Sequence, residues 1–234
     1  MELVPKPIPQ QDKPKKLRLP RTLGTKQFID KKFQVLPFED MYKDSFGEPE
    51  DNFSMIIYGE SGNGKTEGEV IICKELTKYG NVYFNSKEQG FSKSLQDAWI
   101  RNKMDEVDGK VQLAHKEPYE KMIARLKRKK SAKIIFLDSI QHSHLTYQMW
   151  IEMRALFPKK IFILISHSEG RRPQGAAAKA IEYDVDIKVF VKDFVMYVRS
   201  RYGGGKPFMI YEDGYRRRMS EKTKKPMKQI KLPI

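Results

Sequence analysis

Residues 59–66 read Gly59-Glu60-Ser61-Gly62-Asn63-Gly64-Lys65-Thr66, an unbroken G-x-x-x-x-G-K-[ST] pattern, and the run before them, Ser54-Met55-Ile56-Ile57-Tyr58, has the apolar character of a buried strand. Strand, glycine-rich turn and following helix are the parts of a P-loop. The glycines let backbone N–H groups wrap a phosphate, Lys65 reaches the β- and γ-phosphates, and Thr66 offers its hydroxyl to Mg²⁺. A glycine-rich turn with an incidental lysine would match the pattern but leave the preceding strand as coincidence. The segment therefore predicts binding of a nucleoside triphosphate, ATP, with Mg²⁺.

Outward from this point the chain reads as alternating elements. Val70, Ile71, Ile72, Cys73 and Leu76 predict a helix closed by Gly80, and Val82-Tyr83-Phe84 predict a second strand. Residues 91–104 and the strongly basic 117–130 read as helices, with a short strand at 111–113. Lys133-Ile134-Ile135-Phe136-Leu137-Asp138 is an apolar strand closed by an acid, followed by a helix near 145–157 and a strand at 161–166. This alternation predicts an α/β fold with a mostly parallel central sheet flanked by helices on both faces. Beyond residue 184 the segments 187–191, 194–198 and 207–211, joined by short turns, predict antiparallel strands added at the C-terminal side.

With 234 residues, the chain suits one α/β domain with appendages. Residues 1–32 hold Pro5, Pro7, Pro9, Pro14 and Pro20 among many lysines and predict an extended basic arm. The ordered core is expected over 33–214, and Arg216-Arg217-Arg218 with later lysines predicts a basic tail over 215–234. Lys and Arg number 45 against 30 Asp and Glu, a formal charge of +15, and the excess gathers at the two ends. That distribution favours a polyanion, DNA above all, over an anionic membrane, since neither end pairs its charge with a strong apolar face. A pair of solvated tails is the plainer alternative. The single cysteine, Cys73, excludes a disulfide framework, and no apolar stretch approaches the ~20 residues of a membrane span. With no signal-peptide core after Met1, a cytoplasmic protein of a bacterial or phage-infected cell is expected.

Phosphate chemistry asks for two acids beyond the P-loop. One holds Mg²⁺ from the tip of a neighbouring strand, and Asp138 follows the apolar run a central parallel strand requires; its alternative is to cap a helix starting at Ser139. The other orients or deprotonates the attacking water, and Glu88, just past the second strand, stands where such a group would be. Seen alone, Glu88 could equally be a surface charge. A metal site among His115, His142 and His144 is set aside, because no Cys or carboxylate cluster at suitable spacing supplies the remaining ligands.

Four segments resemble the RecA-type ATPase core, and most closely its RadA-like branch with the DnaB-type helicases. Leu137-Asp138-Ser139-Ile140-Gln141 resembles the branch's I-D-S-I-Q, and Ser166-His167-Ser168-Glu169-Gly170 a shortened G-H-V-T-K-E-G. Lys179 through Asp186 resembles K-V-L-E-H-M-V-D, and Arg199-Ser200-Arg201-Tyr202-Gly203 resembles K-N-R-F-G. With the P-loop they span about residues 54–212. The resemblance implies that Glu88 is the catalytic glutamate and that His167 senses the γ-phosphate. It further implies that Arg199 and Arg201 reach the nucleotide of a neighbouring subunit, with outward cations on a half-exposed strand as the alternative. The loops around 141–147 and 170–175 would meet DNA, with Arg171, Arg172 and Lys179 as phosphate contacts.

The chain departs from the family in carrying Lys87 where glycine is usual, and in showing neither the zinc finger and protease-like domain of full RadA proteins nor a DnaB-type N-terminal domain. A stand-alone core of this kind suits a phage or mobile element. The function expected is a Mg²⁺-dependent, DNA-stimulated ATPase in recombination, replication or DNA handling. It would assemble head to tail into a homo-oligomeric ring or filament beside a replication or recombination partner. An ATP-switched DNA-binding scaffold or loader with little turnover is the second reading, and a small-molecule kinase the third.

Overall fold

The computed structural model describes residues 21–224; residues 1–20 and 225–234, which carry much of the expected basic arm and the end of the expected tail, lie outside the described residues. Residues up to Phe33 form one unit, whose described part holds the short helix α1 (Thr25–Ile29). The second unit begins at Gln34. It opens with α2 (Asp40–Phe46), after which Gly47 turns the chain at φ 73°, so close to the Tyr202 carbonyl that a Cβ would lie 2.0 Å from its oxygen.

The alternation expected from sequence follows. Strand β1 (Ser54–Gly59) feeds the P-loop and helix α3 (Lys65–Leu76), and β2 (Val82–Ser86) leads to α4 (Lys93–Arg101). Next come β3 (Val111–His115), α5 (Tyr119–Leu126), β4 (Ile134–Asp138) and α6 (Tyr147–Leu156). Strand β5 (Ile161–Glu169) then folds back on the two-residue β6 (Arg172–Pro173) before α7 (Ala176–Asp184). The chain closes with β7 (Ile187–Lys192), β8 (Val195–Ser200), β9 (Phe208–Met209) and α8 (Glu212–Lys224).

The strands form one sheet in the order β3-β2-β4-β5-β1-β7-β8-β9, with β6 paired to β5. Every pairing from β3 across to β7 is parallel, while β7–β8, β8–β9 and β5–β6 are antiparallel. All residues of β1, β2 and β4 are buried, as central strands covered on both faces must be. Alternation divides them between two cores. Met55, Ile57, Phe84, Phe136, Ile163 and Ile165 face α3 and α4, whereas Ile56, Tyr58, Leu137, Phe162 and Leu164 face α5, α6 and α7. Phe84 and Phe136 stack nearly flat, their centroids 5.1 Å apart, locking β2 to β4.

Element lengths differ from expectation where local chemistry intervenes. Helix α4 stops at Arg101, and Lys103 at φ 50° leaves the helical region before a 3-10 turn at Met104–Val107. Helix α5 ends at Leu126, whose carbonyl accepts the Ser131 hydroxyl at 2.7 Å instead of continuing the helical ladder. The last strand keeps two residues, because Pro207 before it has no N–H to donate. The basic stretch read as a tail from 215 starts inside α8. No helix among the described residues is long and apolar enough to cross a membrane.

Candidate functional site

Parallel strands bring their C-terminal ends to one edge of a sheet, where ligands of open α/β folds bind. The loops after β1, β2 and β4 and the end of β5 meet there. The P-loop turns on Gly62 and Gly64, at φ 75° and 94°. At Gly64 a Cβ would come within 2.5 Å of the Phe194 ring, so this glycine serves both the turn and the close approach. Helix α3 has no side-chain cap at its start, which leaves its first N–H groups for an anion. Lys65 donates to the Glu60 carbonyl at 3.2 Å, holding its ammonium against the loop. These are the features a triphosphate needs.

A cavity of about 260 Å³ opens between the P-loop and the neighbouring strand ends, and Lys65, Thr66, Glu69, Glu88, Gln89 and Asp138 line it. Asp138 ends β4 and is buried, with the Ser86 hydroxyl donating to its Oδ2 at 3.3 Å. No helix starts beside it; the next begins at Tyr147 and is capped by Thr146. The capping alternative for Asp138 is therefore wrong. Burial, then the charge of Glu88, push the Asp138 carboxyl up to about 7, against the pull of Ser86 and Lys65.

Glu69 adds a second buried acid. It lies four residues after Lys65 and so on the same face of α3. Its Oε2 has no hydrogen-bond partner, and burial, then Asp138, raise its carboxyl well above the ordinary range. Buried carboxyls crowded in this way call for a cation. Gln89 meanwhile donates to the Thr66 hydroxyl at 2.8 Å. Thr66 and Asp138 together offer the hard oxygen donors that suit Mg²⁺. Sequence reading passed over Glu69, Gln89 and Phe194; an acid one turn beyond Lys65 within an apolar helix was the legible sign of the first.

The backbone N–H of Glu88 donates to the Asp138 carbonyl at 2.9 Å, and that of Lys87 donates to the same oxygen. The loop after β2 is thus fastened to the tip of β4. The Glu88 carboxylate faces two imidazoles, His167 Nε2 at 3.4 Å and His142 Nδ1 at 3.8 Å. Burial holds His167 below the usual imidazole range, Lys65 and His142 adding to the effect and Glu88 opposing it. The histidines that converge are therefore not those weighed in the sequence. His115 packs on Phe91, with centroids 4.8 Å apart, while His142 joins His167 and Glu88 from separate strand ends.

The remaining predicted residues lie away from this cavity. Arg199 and Arg201 project from the β8 end beside a second, larger groove of about 830 Å³, also lined by Arg171, Arg172, Lys188 and Tyr197. Arg201 is held within the chain by Asp186 Oδ1 at 3.4 Å and the Tyr183 carbonyl at 3.1 Å. Arg199 is exposed and makes no side-chain hydrogen bond among the described residues. Arg172 is paired to Glu182 at 3.2 Å and to the Tyr183 hydroxyl at 3.0 Å, and Lys179 to Glu169 at 3.3 Å.

No family model and no curated protein matches the chain. Solved structures do. A KaiC-like protein of the hyperthermophilic archaeon Pyrococcus horikoshii aligns at TM-score 0.49 with 17% identity, over 69% of this chain and 85% of that one. The ATPase domain of a DnaB-like helicase aligns at TM-score 0.50 with 12% identity, over 70% of this chain and 83% of that one. Taken with the strand order and the P-loop after β1, this likeness makes the fold a RecA-type P-loop core, of the kind found in the ATPase domain of a DnaB-like helicase.

Proposed function

We propose that the protein is a Mg²⁺-dependent ATPase that assembles head to tail and acts on DNA in replication, recombination or DNA handling. The observation that carries the reading is the convergence of Lys65, Thr66, Asp138 and Glu88 on one cavity. Backbone N–H groups of residues 59–66 cradle the phosphates and Lys65 neutralises them. Thr66 and Asp138 hold Mg²⁺, which when bound screens charge on the β- and γ-phosphates. Glu88 takes the proton of the attacking water, and its N–H anchor on the Asp138 carbonyl keeps base and metal ligand in register. His167, beside Glu88 on β5, reports the occupancy of that pocket to the loop leading into β6.

Arg199 and Arg201 extend the reading beyond one subunit. An exposed, unpartnered arginine in a cationic groove is suited to an anion from outside its own chain, and a nucleotide held by a neighbour supplies one. DNA is the natural partner for the charge excess, with Arg171, Arg172 and Lys179 as phosphate contacts. The second reading, an ATP-switched scaffold or loader with little turnover, draws on the hold of Gln89 on the Thr66 hydroxyl and of the Glu60 carbonyl on Lys65.

ATP hydrolysis measured with and without single- and double-stranded DNA, at low and moderate salt, tests both. Stimulation by DNA that Lys65→Ala and Arg201→Ala each abolish supports the assembled ATPase. Tight ATP binding with negligible turnover in every condition transfers the conclusion to the switch.

A further inference from the structure

Glu88, His142 and His167 stand far apart in sequence but follow or end three adjacent strands, β2, β4 and β5. One donor atom from each lies within 4.8 Å of the other two. The Glu88 Oε2 distances, 3.4 Å to His167 Nε2 and 3.8 Å to His142 Nδ1, are longer than ordinary hydrogen bonds. They are instead the spacing of ligands around a small ion: two donors on tetrahedral zinc, bonded at about 2.1 Å, stand about 3.4 Å apart. The remaining gap between the imidazoles closes by rotating His142, whose side chain is 47% exposed.

The frame behind these donors is built. Gln141 donates to the Ser166 hydroxyl and to the Gln174 carbonyl, each at 2.8 Å, and its Oε1 accepts the His167 N–H at 3.3 Å. One amide therefore fixes both the loop that carries His142 and the strand that carries His167. Ser139 Oγ lies 3.0 Å from His142 Nδ1 and orients that ring; the hydroxyl would yield its place to a metal.

We propose that Glu88, His142 and His167 form a transition-metal site that takes Zn²⁺, with a fourth position open to solvent, and that occupying it stops ATP hydrolysis by engaging Glu88. Two imidazoles and one carboxylate suit zinc, whereas Mg²⁺ prefers an all-oxygen shell, so this site is chemically distinct from that of the nucleotide's metal. The inhibitory half rests on the role proposed above for Glu88; the binding half rests on the geometry alone.

The test uses the tag-free full chain and titrates it with Co²⁺, whose visible absorption is intense in a four-coordinate tetrahedral site, and then displaces the Co²⁺ with Zn²⁺. One strongly absorbing Co²⁺ per chain is expected, retained in His144→Ala. His142→Ala, a change at a half-exposed position, should weaken binding by more than about tenfold, as loss of a ligand's support already does in known sites. His167→Ala should do the same. In parallel, Zn²⁺ added at fixed Mg²⁺ and ATP should suppress hydrolysis by the wild-type chain. His142→Ala should hydrolyse ATP with Mg²⁺ alone as the wild type does and resist Zn²⁺ by a similar factor. Absence of the Co²⁺ spectrum, or affinity unchanged in His142→Ala, overturns the site. Metal binding lost in the variants of a chain that never hydrolyses ATP leaves the site standing and removes the ATPase reading. Hydrolysis without a metal site does the reverse.

Discussion

Asn63, inside the P-loop, accepts the backbone N–H of Asp193 on its side-chain oxygen at 2.9 Å, and its carbonyl accepts the N–H of Phe194 at 3.0 Å. Asp193 and Phe194 make the two-residue turn between β7 and β8, both left-handed at φ 51° and 61°. Such a turn matches the twist of a hairpin, but neither residue is a glycine, so it needs support from outside. Further out, the Asp193 carboxylate is held by Lys222 at 2.5 Å and Arg218 at 3.4 Å, both on α8. The phosphate loop, the hairpin and the last helix are thus one connected structure. Asn63→Ala leaves the buried Asp193 N–H without an acceptor and should cost about 1–3 kcal/mol of stability. Denaturant unfolding measures that loss, and a nucleotide titration should show weaker binding in the same variant. Unchanged values in both would mean that the hairpin does not support the loop.

Glu69 gives the pH dependence. Its carboxyl, raised by burial and then by Asp138, keeps a proton in the folded chain that the unfolded chain releases. The folded state therefore binds more protons above the ordinary glutamate range, and stability falls as pH rises through that window. Glu69→Gln removes the titration and the crowding of charge on Asp138. In the absence of nucleotide, the variant should melt close to wild type at pH 5 and clearly above it at pH 8. An equal shift at both pH values would assign the effect to packing.

Glu88→Gln separates binding from chemistry. The amide keeps the shape and the backbone anchor on Asp138 but cannot take a proton. Loss of a general base costs typically 10²–10⁴-fold, so kcat should fall by roughly that factor while nucleotide affinity holds. A rate within about tenfold of wild type would move the base elsewhere.

Much of this fold was legible because strands buried on both faces cannot hide. Ile56-Ile57, Ile134–Leu137 and Ile161–Ile165 read as unbroken apolar runs, and each became a parallel strand. The motif glycines, Lys65, Thr66 and Asp138 were legible because local backbone geometry dictates their types. The pairing of His142 with His167 was not, since it depends on which strands adjoin, β4 beside β5, and no local pattern records that order. Glu69 was obscured for the opposite reason: an acid among Val70, Ile71 and Ile72 reads as the polar edge of a helix until the cavity beside it is seen.

Arg199 and Arg201 allow assembly to be tested by division of labour. Arg201 stabilises its own chain, because Asp186, its partner, also accepts from the Ser54 N–H and hydroxyl, each at 2.8 Å, at the start of β1. Arg201→Ala should therefore disturb both folding and catalysis. Arg199, exposed and unpaired within the described chain, should isolate the catalytic effect: Arg199→Ala is expected to keep stability within about 0.5 kcal/mol of wild type and to lower ATP hydrolysis by roughly 10²–10³-fold, the effect of removing one donor to transition-state charge. A Lys65→Ala chain is crippled in its own nucleotide site yet still presents Arg199, whereas an Arg199→Ala chain keeps its nucleotide site and lacks the arginine. If the arginine acts in trans, mixing these two inactive chains restores activity above the sum of the separate samples, rising with total protein as mixed neighbours form. Activity that stays at that sum, at concentrations where sedimentation shows mixed oligomers, would confine Arg199 to its own subunit.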